Sequence, residues 1–395
     1  MKFVVAGYGS RGDVEPCIAI ARELLRRGHD VRMAVTVPPG MLAFVESTGL
    51  SAVPYGRDWQ ALLRELSEVI ERTMQNPMKA PSQTAEYVAQ VFEDKSTTLT
   101  SVAEGADLLL AGISEQGLAA NVAEYYRIPL AALHFFPAEI LESTGPRGLA
   151  TRGPELAQRR ALGLPEVAGP SPQPLEIQAY DELCFPGLAA EWGDKGDRRP
   201  FVGALTLELP TDADDDVLSW IAAGTPPIYF GFGSIPLASS TDTVALISAA
   251  CTLLGERALI CTGPNDHTEI PHADHVKVVE AVNHAAVFPA CRAVVHHGGA
   301  GTTAAGLRAG VPTLVLCNGL DQPIWAGVIE RMKVGAARYF SATNQGTLVA
   351  DLRSILGPQC ITRARDIAAA MTKSAESVAS AADLLEDAVR WGPVN

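Results

Sequence analysis

A short stretch near residue 300 holds the residues best suited to chemistry. Residues 294–303 read Val-Val-His-His-Gly-Gly-Ala-Gly-Thr-Thr, an apolar strand end followed by small residues that open a helix. A helix that begins in this way leaves backbone N–H groups unpaired, which favours an anion. Glycines let the backbone approach a pyrophosphate, Thr302 adds a hydroxyl donor, and a histidine can hydrogen-bond a phosphate oxygen and neutralise part of its charge. The same residues could instead form a tight turn in which the glycines only relieve crowding.

Asp321 and Gln322 form a second candidate group. Asp321 lies nineteen residues past Thr302 and just after another predicted strand. An Asp-Gln pair at a strand end can accept and donate hydrogen bonds to adjacent sugar hydroxyls. The alternative is an N-cap for a helix that begins near Pro323, because aspartate caps helices well and proline suits the first turn. The two roles are compatible, since a capping carboxylate keeps a second oxygen.

The N-terminal turn offers a candidate base. Residues 7–16 read Gly-Tyr-Gly-Ser-Arg-Gly-Asp-Val-Glu-Pro and join an apolar strand to a helix. Asp13 could act as a general base where a dry site raises its pKa, or it could cap a helix that starts at Val14. The Gly-x-Gly-x-x-Gly spacing also matches a dinucleotide fingerprint. The second strand, however, ends without the acidic residue that a nicotinamide site uses, which disfavours a dehydrogenase.

The remaining polar clusters do not indicate a metal. Asp212 and the carboxylates of 214–216 precede a helix predicted for 217–222, where capping and the helix dipole explain them. His296 and His297 lack a third ligand at a recognisable spacing, which disfavours zinc. We therefore predict no metal and no other cofactor.

His134 and Phe135 are candidate acceptor contacts. They stand where a predicted strand ends in the apolar turn Phe-Phe-Pro at 135–137, which suggests an apolar pocket. A partly buried histidine without a role in binding is the alternative for His134.

The elements that must position these residues alternate between strand and helix. Apolar runs predict strands at 3–6, 30–35, 108–111, 130–134, 228–232, 258–261, 276–279, 293–296 and 313–316. This alternation predicts an α/β fold with two Rossmann-like, doubly wound domains that face a cleft. We predict one domain at 1–200, a second at 201–375, and a C-terminal helix at 376–395 that crosses back to the first.

The composition limits the possible partners. The chain has 395 residues, 47% of them hydrophobic and 19% charged, as in globular proteins. The formal net charge of −14 argues against a general nucleic-acid binder, which needs a basic face. Seven scattered cysteines predict reduced thiols in the cytoplasm. No apolar run approaches the roughly 18 residues that span a bilayer.

Residues 276–322 resemble the nucleotide-sugar signature of the family 1 glycosyltransferases. Residues 7–16 and 23–32 resemble the N-terminal motif of the bacterial branch of that family, which includes glycopeptide-antibiotic and mycobacterial glycopeptidolipid glycosyltransferases. The resemblance covers the C-terminal domain and about the first fifty residues, while 57–210 carry no motif of the family. It implies the GT-B fold, with an acceptor-binding N-terminal domain and a nucleotide-sugar-binding C-terminal domain.

The resemblance also implies roles for single residues. His297 would contact the pyrophosphate, and Asp321 and Gln322 would contact the sugar. Asp13 would be the base, as in the bacterial branch, where many other members have a histidine. The remaining implied donor contacts are Gly12, Ser234, Val282, Gly299, Ala300, Gly301 and Thr302. Many relatives stack a tryptophan on the base, whereas 280–284 read Glu-Ala-Val-Asn-His, which leaves uracil or thymine open.

Taken with these residues, the resemblance implies an inverting, metal-independent glycosyltransferase. It would move a hexose or deoxyhexose from a UDP- or dTDP-sugar to a hydroxyl of a lipophilic acceptor, such as a glycopeptidolipid, glycolipid, sterol or natural-product aglycone. The alternatives are a nucleotide-sugar epimerase of GT-B fold and a nucleotide-sugar-binding protein without transferase activity. We expect a cytoplasmic monomer or weak dimer with transient contact to the inner membrane face and no nucleic-acid partner.

Overall fold

The chain forms two compact units. The computed structural model describes residues 1–36, 40–58, 80–137, 147–166, 174–233, 239–263, 273–319 and 321–392. The first unit contains Met1–Ala179, Ala189–Leu205 and Ser374–Asn395, and the second contains Tyr180–Leu188 and Thr206–Lys373. In the described part of the chain, no helix has the length and apolar character needed to cross a membrane.

The first unit is built on a parallel sheet. Its strands are β1 (Lys2–Gly7), β2 (Asp30–Val35), β3 (Ser51–Pro54), β4 (Leu108–Ala111), β5 (Leu130–His134) and β6 (Leu175–Gln178). They lie in the order β3-β2-β1-β4-β5-β6. The central strands are continuous apolar runs because helices cover both faces of the sheet. The order turns back between β1 and β4, so the loops that follow these two strands lie side by side.

Helices connect the strands of this unit. They are α1 (Arg11–Arg26), α2 (Met41–Ser47), α3 (Ala80–Val102), α4 (Gln116–Tyr126), α5 (Arg147–Ala161) and the short α6 (Leu188–Trp192). The parallel direction of the strands requires these crossovers, since a tight hairpin can join only antiparallel neighbours.

The second unit repeats the arrangement. Its strands are β7 (Ile228–Gly231), β8 (Ala258–Cys261), β9 (Val276–Val279), β10 (Ala293–His296), β11 (Thr313–Cys317) and β12 (Gly335–Tyr339). They lie in the order β12-β11-β10-β7-β8-β9, all parallel, with the turning point between β10 and β7. Its helices are α7 (Asp214–Ala222), α8 (Ser240–Leu254), α9 (His284–Val287), α10 (Ala300–Ala309), α11 (Gln322–Met332), α12 (Gln345–Ile355) and α13 (Pro358–Ala370).

The last helix, α14 (Ser374–Trp391), belongs to the first unit and packs against α1. Arg27 lies 2.6 Å from Asp383 and 3.2 Å from Glu386. The His29 Nε2 atom lies 2.9 Å from Glu386. These contacts hold the C-terminal helix on the helix that follows β1.

The nine predicted strands are all present, with ends that shift by one residue at most, and the doubly wound α/β class is confirmed. The apolar pattern missed β3, β6 and β12. Each of these is an edge strand that is at most partly buried, as is β9, which the pattern did predict. A strand with one exposed side does not need a continuous apolar run, so it leaves a weaker signal.

Candidate active site

His296, the last residue of β10, supports the turn into α10 from the protein interior. Its side chain is fully buried, and its Nδ1 accepts a hydrogen bond from the backbone N–H of Gly298 at 2.9 Å. Burial, with smaller effects from His297 and His284, holds the pKa of the ring well below its usual range. The imidazole is therefore neutral and carries its proton on Nε2. The sequence pattern did not reveal this structural role.

Gly298 makes the turn sterically possible. Its φ is +97°, a conformation that favours glycine. A Cβ at this position would lie 2.9 Å from the Val315 side chain and 3.1 Å from the backbone oxygen of Gln322. At Gly298, the turn after β10 therefore packs closely against β11 and the segment that follows it.

The half-buried ring of His297 is enclosed by two glycines. A Cβ on Gly233 would lie 2.5 Å from His297 Cε1, and a Cβ on Gly299 would lie 2.5 Å from Nε2. Burial lowers the pKa of His297 to about 4, against a smaller opposing effect of the Gly231 carbonyl. The unliganded ring is neutral at pH 7, so it would offer a phosphate a hydrogen bond rather than a full positive charge.

The N-terminus of α10 lacks a side-chain cap, because the N-cap residue is Gly299. The first backbone hydrogen bond runs from the Thr303 N–H to the Gly299 carbonyl at 2.9 Å. The N–H groups of Ala300, Gly301 and Thr302 have no hydrogen-bond acceptor among the described residues. A Cβ on Gly301 would meet nothing within 4 Å, so the space beside this helix end is open. Amide donors left available at a helix N-terminus favour the binding of an anion.

The side chain of Gln322 already takes part in a hydrogen bond within its own loop. It is buried, and its Oε1 accepts a hydrogen bond from the Asn318 N–H at 2.7 Å. Only its amide group therefore remains to donate. The helix expected near Pro323 begins at Gln322, and Asp321 occupies its N-cap position without a capping hydrogen bond from its side chain. Capping therefore does not explain Asp321.

A buried carboxylate organises the loop that holds Val282. Asp214 accepts hydrogen bonds from the Thr211 N–H and from the Asn283 N–H, each at 2.8 Å. The carboxylate at 214 thus ties two loops together and does not cap α7. Val282 itself is buried, and its backbone N–H and C=O make no hydrogen bond to described residues. Ser234 lies outside the described residues.

Asp13 lies in the first turn of α1. The helix begins at Arg11 with Ser10 as its N-cap, three residues earlier than the capping hypothesis for Asp13 requires. The Asp13 Oδ2 atom accepts hydrogen bonds from the N–H of Ser10 at 2.7 Å and from its hydroxyl at 2.9 Å. Asp13 is half-buried and Gly12 is exposed. Both residues belong to the first unit, whereas the described donor candidates from 282 to 322 belong to the second.

His134 and Phe135 are buried at the end of β5, with 5% and 6% of their surface exposed. The His134 Nε2 atom lies 3.9 Å from Glu176. These positions favour the alternative of a buried histidine over direct contact with an acceptor.

We expect H296N to preserve the turn after β10 and H296L to disrupt it. An asparagine oxygen can replace Nδ1 as the acceptor for the Gly298 N–H, whereas leucine leaves that buried donor unpaired at a cost of about 1–3 kcal/mol. Urea denaturation should therefore rank H296N above H296L in free energy of unfolding. A leucine variant as stable as the asparagine variant would refute this role.

Acid should destabilise the second unit partly through His297. Its folded pKa of about 4 lies below the ordinary value of 6.5, so the unfolded chain binds the proton first as the pH falls. The contribution to stability is complete above pH 6.5 and is lost as the pH falls toward 4. Thermal melts of H297N should show a shallower decline over this window, and a decline equal to that of the wild type would contradict the assigned pKa.

Comparisons with known proteins agree with this architecture. The glycosyltransferase family 28 N-terminal domain matches residues 3–138, and the erythromycin biosynthesis protein CIII-like C-terminal domain matches residues 258–387. An uncharacterized glycosyltransferase of Mycobacterium tuberculosis is 58% identical, with 99% of each chain covered. Glycosyltransferase GtfE of Amycolatopsis orientalis is 30% identical, with 98% of each chain covered.

A solved structure shows the same fold. Glycosyltransferase VinC in complex with dTDP is 18% identical, with a TM-score of 0.66 over 99% of this chain and 100% of that one. With these relatives and the two parallel sheets, the chain belongs to the family 1 glycosyltransferases of GT-B fold and is itself a glycosyltransferase.

Proposed function

We propose that this glycosyltransferase moves a hexose or deoxyhexose from a UDP- or dTDP-sugar to a hydroxyl group of a lipophilic acceptor, by a single displacement that needs no metal ion. The observation that carries the proposal is the start of α10, where amide hydrogens without an acceptor among the described residues adjoin the His297 ring. A departing nucleoside diphosphate gathers negative charge, and fixed amide donors at a helix N-terminus stabilise such charge.

His297 would assist as a donor of one hydrogen bond to the diphosphate. Because its ring starts neutral, the donor site does not hold a buried positive charge before the nucleotide arrives. A bound diphosphate would raise the pKa of the ring, since an adjacent negative charge favours the protonated form. The interaction would then strengthen as negative charge develops on the leaving group.

The sugar and the base would be held by the loops around this helix end. We assign the sugar hydroxyls to the Asp321 carboxylate and to the amide group of Gln322, whose oxygen is already used within its loop. The backbone N–H and C=O of Val282, which make no hydrogen bond to described residues, suit the edge of a nucleobase. Ser234 and the amides of 299–302 complete the proposed donor contacts.

Asp13 would be the base for the acceptor. Its carboxylate takes the proton of the acceptor hydroxyl, whose oxygen forms a bond to the anomeric carbon. The bond from that carbon to the diphosphate oxygen breaks, and its electron pair leaves with the nucleoside diphosphate. A single displacement inverts the anomeric configuration. Gly12 would supply a further backbone donor to the diphosphate.

The names of the relatives support the choice of donor and acceptor. VinC is named in complex with dTDP, and the C-terminal family model is named for an erythromycin biosynthesis protein. These names support a dTDP-sugar donor and a natural-product acceptor. All seven cysteines are free thiols, which supports a reducing compartment and a cytoplasmic site of action, with lipid acceptors met at the membrane surface.

D13N should bind donor normally and lose turnover. Asparagine keeps an oxygen for the Ser10 donors but cannot take the proton, so we expect a loss of roughly 10²–10⁴-fold in kcat. The assay pairs UDP-glucose, dTDP-glucose and dTDP-rhamnose with a sterol, a macrolide aglycone and a glycopeptide aglycone, and thermal shift reports donor binding.

E15Q is the matched control, because Glu15 lies on the same helix and pairs with the exposed Arg11 at 3.1 Å. This variant should turn over like the wild type. Normal turnover by D13N would remove Asp13 from the mechanism. An epimerised donor in the absence of any acceptor would indicate an epimerase instead.

A further inference from the structure

A buried ion pair joins α3 to the start of α4 in the first unit. The Lys95 Nζ atom lies 2.5 Å from Glu115 Oε1, and the two side chains are 4% and 0% exposed. The Tyr55 hydroxyl donates to the other carboxylate oxygen of Glu115. Burial, with the Glu115 charge, holds the pKa of Tyr55 well above its usual range, so this phenol keeps its proton. These buried groups do not face solvent, and the reaction described above does not use them.

Lys95 also contacts the turn that carries Asp13, through Tyr8. Its Nζ atom lies 3.9 Å from the centroid of the Tyr8 ring, within the range of a cation–π interaction. The Tyr8 ring packs edge-on against Tyr55, with centroids 6.2 Å apart. The Tyr8 hydroxyl donates to the Arg57 carbonyl at 3.0 Å. Contacts from α3 and from the loop after β3 thus fix the position of the ring.

Gly56 allows the loop after β3 to pack closely against Lys95 and Tyr8. Gly56 has a φ of +68°, and a Cβ there would lie 2.9 Å from both the Lys95 Cγ and the Tyr8 Cε2 atoms. The Lys95 stem and the Tyr8 ring therefore have little room to shift toward the loop after β3.

Tyr8 is linked to Asp13 by the two residues that follow it. The N–H and hydroxyl groups of Ser10 both donate to Asp13 Oδ2. A side chain on Gly9, where φ is +133°, would overlap the same oxygen. The carboxylate thus rests directly on the backbone of 9–10, and a displacement of Tyr8 would carry its hydrogen-bond donors away.

We propose that Lys95 and Glu115 are positioning residues that act through Tyr8 to hold the carboxylate of Asp13 in place for proton transfer. The inference rests on the proposed role of Asp13 as the base. Apolar residues of similar volume often stabilise a fold as well as a buried ion pair does, so stability alone does not explain the charges. The ammonium group of Lys95 attracts the π face of Tyr8 electrostatically, and Glu115 keeps that cation buried and oriented.

The test is the charge-free double variant K95M/E115Q. Methionine keeps the apolar stem, and glutamine keeps an oxygen for the Tyr55 hydroxyl, so we expect a folded protein with wild-type affinity for UDP. The kcat of nucleoside diphosphate release should fall by roughly 10–100-fold, with the donor KM within about twofold, because a misplacement of about 1 Å can cost 10²-fold. Y8L, which removes the ring but leaves the ion pair, should show the same loss and serves where K95M/E115Q does not fold.

A second ion pair in the same unit gives the control. Arg159 and Glu124 lie 2.8 Å apart and are 7% and 24% exposed, and no described contact joins them to the turn at 8–13. R159M/E124Q should lower the melting temperature and leave kcat unchanged. If Lys95 and Glu115 contributed only to stability, K95M/E115Q and R159M/E124Q would both lower the melting temperature and leave kcat unchanged.

Combination with D13N separates positioning from general damage. In the D13N background, K95M/E115Q should cause no further loss of kcat, because the group that it positions is already gone. The same fold-loss in both backgrounds, or wild-type kcat in folded K95M/E115Q and Y8L, would overturn the inference. Normal turnover by D13N itself would instead refute the role of Asp13 as the base, a separate result.

Discussion

Three backbone amides at the start of α10 need an acceptor that no described part of the chain supplies. An unpaired amide donor that is removed from water is costly, so such a helix end is stable only while solvent or a ligand reaches it. His296 holds the turn from the inside, Gly298 allows it, and the small residues beyond it leave the front open. In the proposed function, binding of the diphosphate depends on keeping these amides available.

The sheet topology explains the positions of the two segments that carry Asp13 and His297. In each sheet the strand order turns back once, between β1 and β4 and between β10 and β7. Asp13 lies in the first turn of the helix after β1, and His297 lies in the loop after β10. Loops at such a point are not covered by a crossover helix, so they remain accessible. The central strands were predictable from the sequence because burial on both faces demands continuous apolar runs. Three of the four edge strands in the described sheets, β3, β6 and β12, were not, since an edge strand does not need a continuous apolar run.

The candidate site was predictable only where the chemistry is local in sequence. The glycines and histidines of 296–301 predict an anion site because a helix that begins with small residues leaves its first backbone N–H groups available. Contacts that depend on the folded structure gave no signal in the sequence. They are the hydrogen bond accepted by His296 Nδ1, the hydrogen bond from the Asn318 N–H to the Gln322 side chain, and the ion pair of Lys95 with Glu115. The helix start at Arg11 was also missed, because Ser10 and Asp13 both fit a cap.

The most direct test of diphosphate binding at the start of α10 is calorimetric titration of wild type and H297A with UDP, dTDP and the nucleoside uridine. A lost hydrogen bond to a charged group corresponds to about 1.5–3 kcal/mol, so H297A should bind the diphosphates roughly 10–100-fold more weakly while uridine binding is unchanged. H275A, whose ring lies beside Thr252 on α8, should match the wild type. Equal affinity of H297A and wild type for both diphosphates, or an equal loss for uridine, would contradict a site built from α10 and His297.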